Sequence, residues 1–120
     1  MRSILVVAEG PELRHRLAGV LSGAGYQVVE ADSGERALEL TPNVLPDVVL
    51  MAIVMRQLNG LETAVRLRKA AGSRSVSIIL LGSLIPIGMD DEPLASLIDG
   101  YLDIDAPADE LLDCVNQQLH

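Results

Sequence analysis

Five short runs rich in apolar, often β-branched residues punctuate the chain: Ile4–Val7, Val28–Glu30, Val48–Met51, Val76–Leu81 and Tyr101–Ile104. The segments between them mostly place apolar residues three and four apart, the spacing of one helix face. Strand and helix patterns that alternate in this way predict a parallel sheet covered by helices. Runs one, three, four and five are apolar almost throughout, as strands buried on both faces must be.

In the first helix Leu13, Leu17, Val20 and Leu21 share a face, with Glu12, Arg14 and Arg16 elsewhere. Pro11 suits its first turn, and Gly23 and Gly25 close it before Tyr26. The second helix starts from a Ser33 cap and carries Ala37, Leu38 and Leu40. It is expected to stop at Pro42, which lacks a donor and clashes with the preceding turn. The third spans about Leu61 to Ala71. The last spans about Pro107 to Leu119 and turns Leu111, Leu112, Val115 and Leu119 inward. From Ser83 to Gly100 the chain reads SLIPIGMDDEPLASLIDG, where Pro86, Gly88 and Pro93 interrupt any long helix, so the fourth helix is expected to be short or irregular. With no internal repeat, linker or low-complexity tract, residues 1–120 form one domain. Five strands of this spacing favour an α/β fold, a doubly wound, flavodoxin-like parallel sheet of order 2-1-3-4-5. Its functional site lies beyond the carboxyl ends of the strands.

Composition narrows the function. At 120 residues, 49% hydrophobic and 22% charged, the chain can bury a core without disulfides or metal, and no apolar run approaches the ~20 residues of a membrane span. A soluble domain is expected. The first apolar run, about five residues long, is too short for a secretory signal. The net charge of −8 and only nine Lys+Arg oppose binding to a phosphate backbone. The small basic groups Arg14/Arg16 and Arg66/Arg68/Lys69 read as solvated helix faces. Cys114 has no second cysteine to pair with and reads as a small core hydrophobe in a reducing cytoplasm. His15 and His120 read as surface residues with no metal or catalytic partner.

Three segments carry a family resemblance: ILVVAEGPELR, PDVVLMAIVMRQLNGLE and DGYLDIDAPADELL. Together they resemble the first strand with its acids and Pro, the third strand with its following loop, and the last strand and helix of bacterial response-regulator receiver domains. The resemblance runs from Ile4 to Leu119. It implies an Asp nucleophile ending the third strand, two acids holding Mg²⁺, a hydroxyl ending the fourth strand and a Lys ending the fifth. At these positions the chain has Ala52, then Ala8 and Glu9, then Gly82 (Ser83 if the register slips by one), then Ile104. An alanine has no oxygen to attack phosphorus, one carboxylate gives little reason to bind a hard Mg²⁺ ion, and no cation faces a phosphoryl oxygen. The losses are mutually consistent, because a Lys left beside a missing acid would be a costly unpaired charge. The pocket reads as rebuilt into ordinary packing, with no metal and no cofactor.

The resemblance also bears on neighbouring residues. Asp105 stands where the family has a Pro after a cis bond. A cis bond before a non-proline residue costs ~2.5–4 kcal/mol, so Ile104–Asp105 is expected to be trans, with Asp105 capping the last helix. Glu9 is expected to brace its loop, within reach of Arg56. Tyr101 matches the family's switching aromatic and is expected to hold one position, as core or as interface. The apolar stretch Leu84, Ile85, Ile87 and Met89 is, with Tyr101, a candidate partner surface.

The expected function is therefore a phosphorylation-independent protein-interaction module of bacterial two-component signalling, cytoplasmic and not an enzyme. It would bind a protein partner or a second copy through the face of the fourth helix, fifth strand and last helix, without nucleic acid, membrane or Mg²⁺. Two alternatives differ in kind. One is a receiver that still accepts phosphate at an unusual residue such as Glu9 or Asp103. The other is a flavodoxin-like small-ligand binder, disfavoured because only Tyr26 and Tyr101 could stack on a flavin and no Gly-rich phosphate loop follows the first strand.

Overall fold

The computed structural model describes residues 2–55, 59–71, 76–82 and 98–119. Arg56, Ser83, Leu84, Ile85, Ile87, Met89 and the irregular fourth helix expected around them lie outside the described residues. The described chain runs β1 (Ser3–Val7), α1 (Pro11–Gly23), β2 (Gln27–Ala31), α2 (Gly34–Val44), β3 (Val48–Ala52), α3 (Gly60–Ala71), β4 (Ser77–Gly82), β5 (Gly100–Asp103) and α4 (Ala108–Gln118). The five strands form one parallel sheet in the order β2-β1-β3-β4-β5. This is the doubly wound, flavodoxin-like architecture expected from the alternation of patterns.

Strand alternation divides the core into two layers. Leu5 and Val7 of β1, Val49 and Met51 of β3, and Ile78 and Leu80 of β4 face α2 and α3, meeting Ala37, Ala64 and Leu67. Ile4, Val6, Val48, Leu50, Ile79, Leu81 and Leu102 face the other way, meeting Leu17 and Leu21 of α1 and Leu111 and Val115 of α4. Every residue of β3 is buried, and each large aliphatic side chain so removed from water contributes about 1.5–3 kcal/mol. The edge strands differ. In β5 Leu102 is the one buried residue, after partly buried Gly100 and Tyr101 and before exposed Asp103, so the strand is less apolar in setting than its sequence suggests.

Helix ends follow local chemistry. Pro11 opens α1, and Gly25 at φ 97 lets the chain reverse after it. Ser33 caps α2 as expected, its hydroxyl accepting the Arg36 N–H at 3.0 Å. The helix does not stop at Pro42: it continues to Val44 and ends where Leu45 takes a left-handed φ of 51°. Pro42 falls in the last turn, where its missing N–H removes a single bond, to Leu38. The turn is held on either side of it, by the Thr41 hydroxyl donating to Ala37 O at 2.6 Å and the Leu45 N–H donating to Thr41 O at 2.9 Å.

Candidate functional site

In a doubly wound sheet the functional crevice lies at the carboxyl edge where the strand order reverses, here between β1 and β3. The last registered pair across that gap is Val7 with Met51. One step further stand Ala8 and Ala52, 1% and 6% exposed. The switch point is thus walled by two methyl groups, neither of which can ligate a cation or attack an electrophile.

Glu9, Gly82 and Ile104, also singled out from the sequence, gather along the same edge. Glu9 follows Ala8 and is partly buried. Gly82 ends β4, and its carbonyl accepts the Ile104 N–H at 3.1 Å, which brings the end of β5 alongside. The Ala8 N–H donates to Ala31 O at 3.1 Å and the Ile53 N–H to Leu81 O at 2.9 Å, so the sheet is stitched up to its rim. Gly60 closes the site from above: its N–H donates to Ile53 O at 2.7 Å, seating α3 on the end of β3. Val54, just beyond, is 86% exposed.

The Ile104–Asp105 bond is trans, but Asp105 does not cap α4. The N-cap is Pro107, with no side-chain hydrogen bond, and Asp109 and Glu110 supply the acids of the first turn. Asp105 is instead held in a tight turn, where its N–H donates to Asp103 Oδ1 at 2.8 Å and the Ala106 N–H donates to Asp103 O at 3.0 Å. An Asp side chain that hydrogen-bonds the main chain two residues on competes with helix initiation, and α4 starts after the turn is complete. Tyr101 is partly buried and packs against the layer containing Ile78 and Leu80, in register with Leu80 and not beside Gly82. Burial, and then the Asp103 carboxylate, hold its phenol above the ordinary range.

Two arginines expected on a solvated face belong to the site. Arg14 is only 15% exposed in its side chain. Its Nη1 donates to Ala8 O at 2.9 Å and Glu9 O at 3.2 Å, and its Nε to Glu30 at 3.2 Å. Arg16 keeps its exposed position but donates from Nη2 to Ile104 O at 3.0 Å. Neither lies on the apolar stripe of α1, so hydrophobic periodicity could not reveal them. The available signal was a long cation within the first two turns of a helix that begins at a sheet's carboxyl edge, where strand carbonyls run out of partners. His15 is exposed, 3.4 Å from Glu30, and lines a polar cleft with Arg14, Glu30, Asp32 and Arg36. Among the described residues no group of three His, Cys, Asp or Glu could hold a metal ion, and no helix is long and apolar enough to cross a membrane.

The response regulator receiver domain family matches residues 4–116. Protein PilH of Pseudomonas aeruginosa is 36% identical over 81 residues, covering 68% of this chain and 67% of PilH. The nitrate/nitrite response regulator protein NarL of Escherichia coli is 29% identical over 120 residues, covering 96% of this chain and 53% of NarL. The chain therefore spans about two thirds of one curated relative and about half of the other. Among solved structures, the chemotaxis protein CheY4 of Vibrio cholerae superposes with a TM-score of 0.89 at 23% identity, covering 98% of both chains. Response regulator TrrA of Thermotoga maritima, in complex with Mg²⁺-BeF, superposes with a TM-score of 0.85 at 30% identity, covering 98% of this chain and 99% of that one.

Proposed function

Because this chain belongs to the response regulator receiver domain family, we propose that it serves two-component signalling as a protein-interaction module that works without phosphorylation. The observation that carries this reading is the pair of buried alanines, Ala8 and Ala52, each one residue past the last β1/β3 pair at the switch point. Phosphoryl transfer to a side chain needs a nucleophilic oxygen, and the transferred charge needs a cation to meet it. Ala52 supplies no oxygen, and Ile104 supplies no cation.

Among the described residues that follow β1 and β3, Glu9 offers Mg²⁺ one side-chain carboxylate with no second beside it. This small, hard ion takes near-octahedral oxygen ligands and is usually anchored by one or two carboxylates. Of the two residues following β1, Ala8 brings only a methyl and Glu9 a single carboxylate, and Ala52 opposite adds nothing. TrrA, a relative in fold, was solved with Mg²⁺-BeF. With a methyl at Ala52 where a phosphoryl acceptor would need an oxygen and one carboxylate, Glu9, for the ion, the reading takes the domain as a binder and not an enzyme.

The surface offered to a partner, or to a second copy, is the face that includes β5 and α4. It includes Tyr101, which packs against the layer containing Ile78 and Leu80. The setting is the bacterial cytoplasm. Incubating the chain with acetyl phosphate and Mg²⁺ and measuring the intact mass tests the reading. We expect no phosphoryl adduct. An adduct mapped to Glu9 or Asp103 would replace it with an atypical phosphoacceptor.

A further inference from the structure

We infer that Arg14 and Arg16 of α1 form a two-armed brace that holds the loops on both flanks of the switch point in one arrangement with no bound ion. Residues two apart on a helix point about 200° apart, so two arginines on one helix end can reach opposite sides of the same edge. Arg14 reaches back over the helix start to the carbonyls of Ala8 and Glu9, and across to Glu30 of β2. Arg16 reaches the other way, to the carbonyl of Ile104 in the turn between β5 and α4.

Both arms end on main-chain oxygens just past strand ends, those of Ala8 and Glu9 after β1 and that of Ile104 after β5. A guanidinium suits this task. Its planar fork carries five donors and stays charged, so one side chain can satisfy two carbonyls and a carboxylate together, and bonds from a charged donor are roughly twice as strong as neutral ones. The residue Ile104 is consequently held on both sides, its N–H by Gly82 and its carbonyl by Arg16. That ties α1 through Ile104 to the end of β4. On the other flank, Ala8 is held by Ala31 through its N–H and by Arg14 through its carbonyl. The inference goes beyond the proposed function, because it rests on these contacts alone and stands whichever partner the domain meets.

Amide hydrogen exchange measured residue by residue on the full chain tests the brace. Arg16→Gln should raise the exchange rate of the Ile104 amide by about tenfold and leave Ala8 unchanged, while Arg14→Gln should do the reverse. Arg14→Lys, which keeps the charge but loses the fork, should reproduce the local effect at Ala8. Arg36→Gln, removing an exposed guanidinium that pairs with Glu39, should change neither amide. Unchanged rates at both amides would overturn the inference. So would a uniform rise that includes Leu50 and Ile79, because it would make the arginines contributors to overall stability with no local role.

Discussion

A β-carbon on Gly60 would stand 2.7 Å from the main-chain oxygen of Ala52 and 2.8 Å from the Cα of Ile53. Real β-carbons do not approach main-chain atoms so closely, and neither neighbour can rotate away. The start of α3 is pressed onto the end of β3, the strand that carries Ala52 to the switch point. Gly60→Ala should therefore cost about 1–3 kcal/mol, as overpacking does elsewhere, read as a lower urea midpoint with an unchanged slope. An unchanged midpoint would show that the helix end can slide.

At the opposite edge of the sheet, Asp99 does a different job. Its Oδ2 accepts the Ile78 N–H at 2.7 Å and also pairs with Arg68, whose guanidinium in turn holds the Val76 carbonyl. Asp99→Ala removes the acceptor from a partly buried main-chain donor, at a cost of about 1.5–3 kcal/mol. Most of that loss should persist in high salt, since the exposed ion-pair portion is screened while the main-chain bond is not. A loss that vanishes in salt would contradict this assignment.

Gly19 sits inside α1, exposed, with nothing within 4 Å of where a β-carbon would lie. Replacing it with Ala should stabilise the domain by about 0.5–1 kcal/mol, through the unfolded chain's lost freedom and the better helix former. Thermal unfolding reads this as a higher midpoint. A lower midpoint would mean that the outer face of α1 is not free.

Cys114 packs on the α1/α4 side of the sheet near Gly100, and burial, followed by the Glu110 carboxylate, raises its thiol pKa. Raising it in the folded state keeps the proton on where the unfolded chain releases it. The stabilising contribution is thus complete below the ordinary thiol range, around 8.5, and is lost as pH rises toward the folded value. Wild type should lose stability over that interval faster than Cys114→Ala, and the thiol should alkylate more slowly than a free one. Parallel pH profiles for the two proteins would remove the claim. Tyr101, raised the same way, adds its own fall only at higher pH.

The strands were legible in the sequence to within about a residue: burial on both faces leaves β1, β3 and β4 without polar alternation, and short apolar or β-branched runs mark the edge strands β2 and β5. That Ala8, Ala52, Gly82 and Ile104 would stand together at one edge followed from the family resemblance laid over those strands. What the sequence hid were exchanges of one hydrogen bond for another. Pro42 reads as a stop, yet it costs one donor in a final turn that Thr41 and Leu45 hold together. Asp105 reads as a cap, yet Asp103 claims its N–H first. Arg14 reads as solvated because it lies off the apolar stripe, while its length carries its charge to carbonyls that no periodicity records.

The central claim is that the carboxyl edge around Ala52 no longer answers to phosphate. Titrating the ¹⁵N-labelled chain with Mg²⁺ and beryllofluoride, a phosphoryl mimic, and following the amides of Glu9, Ala52, Gly82 and Ile104 tests it at every wall of the site. The account predicts no saturable shift at any of them. Saturable shifts converging on these residues would contradict it and show that the site still binds a phosphoryl-like ligand.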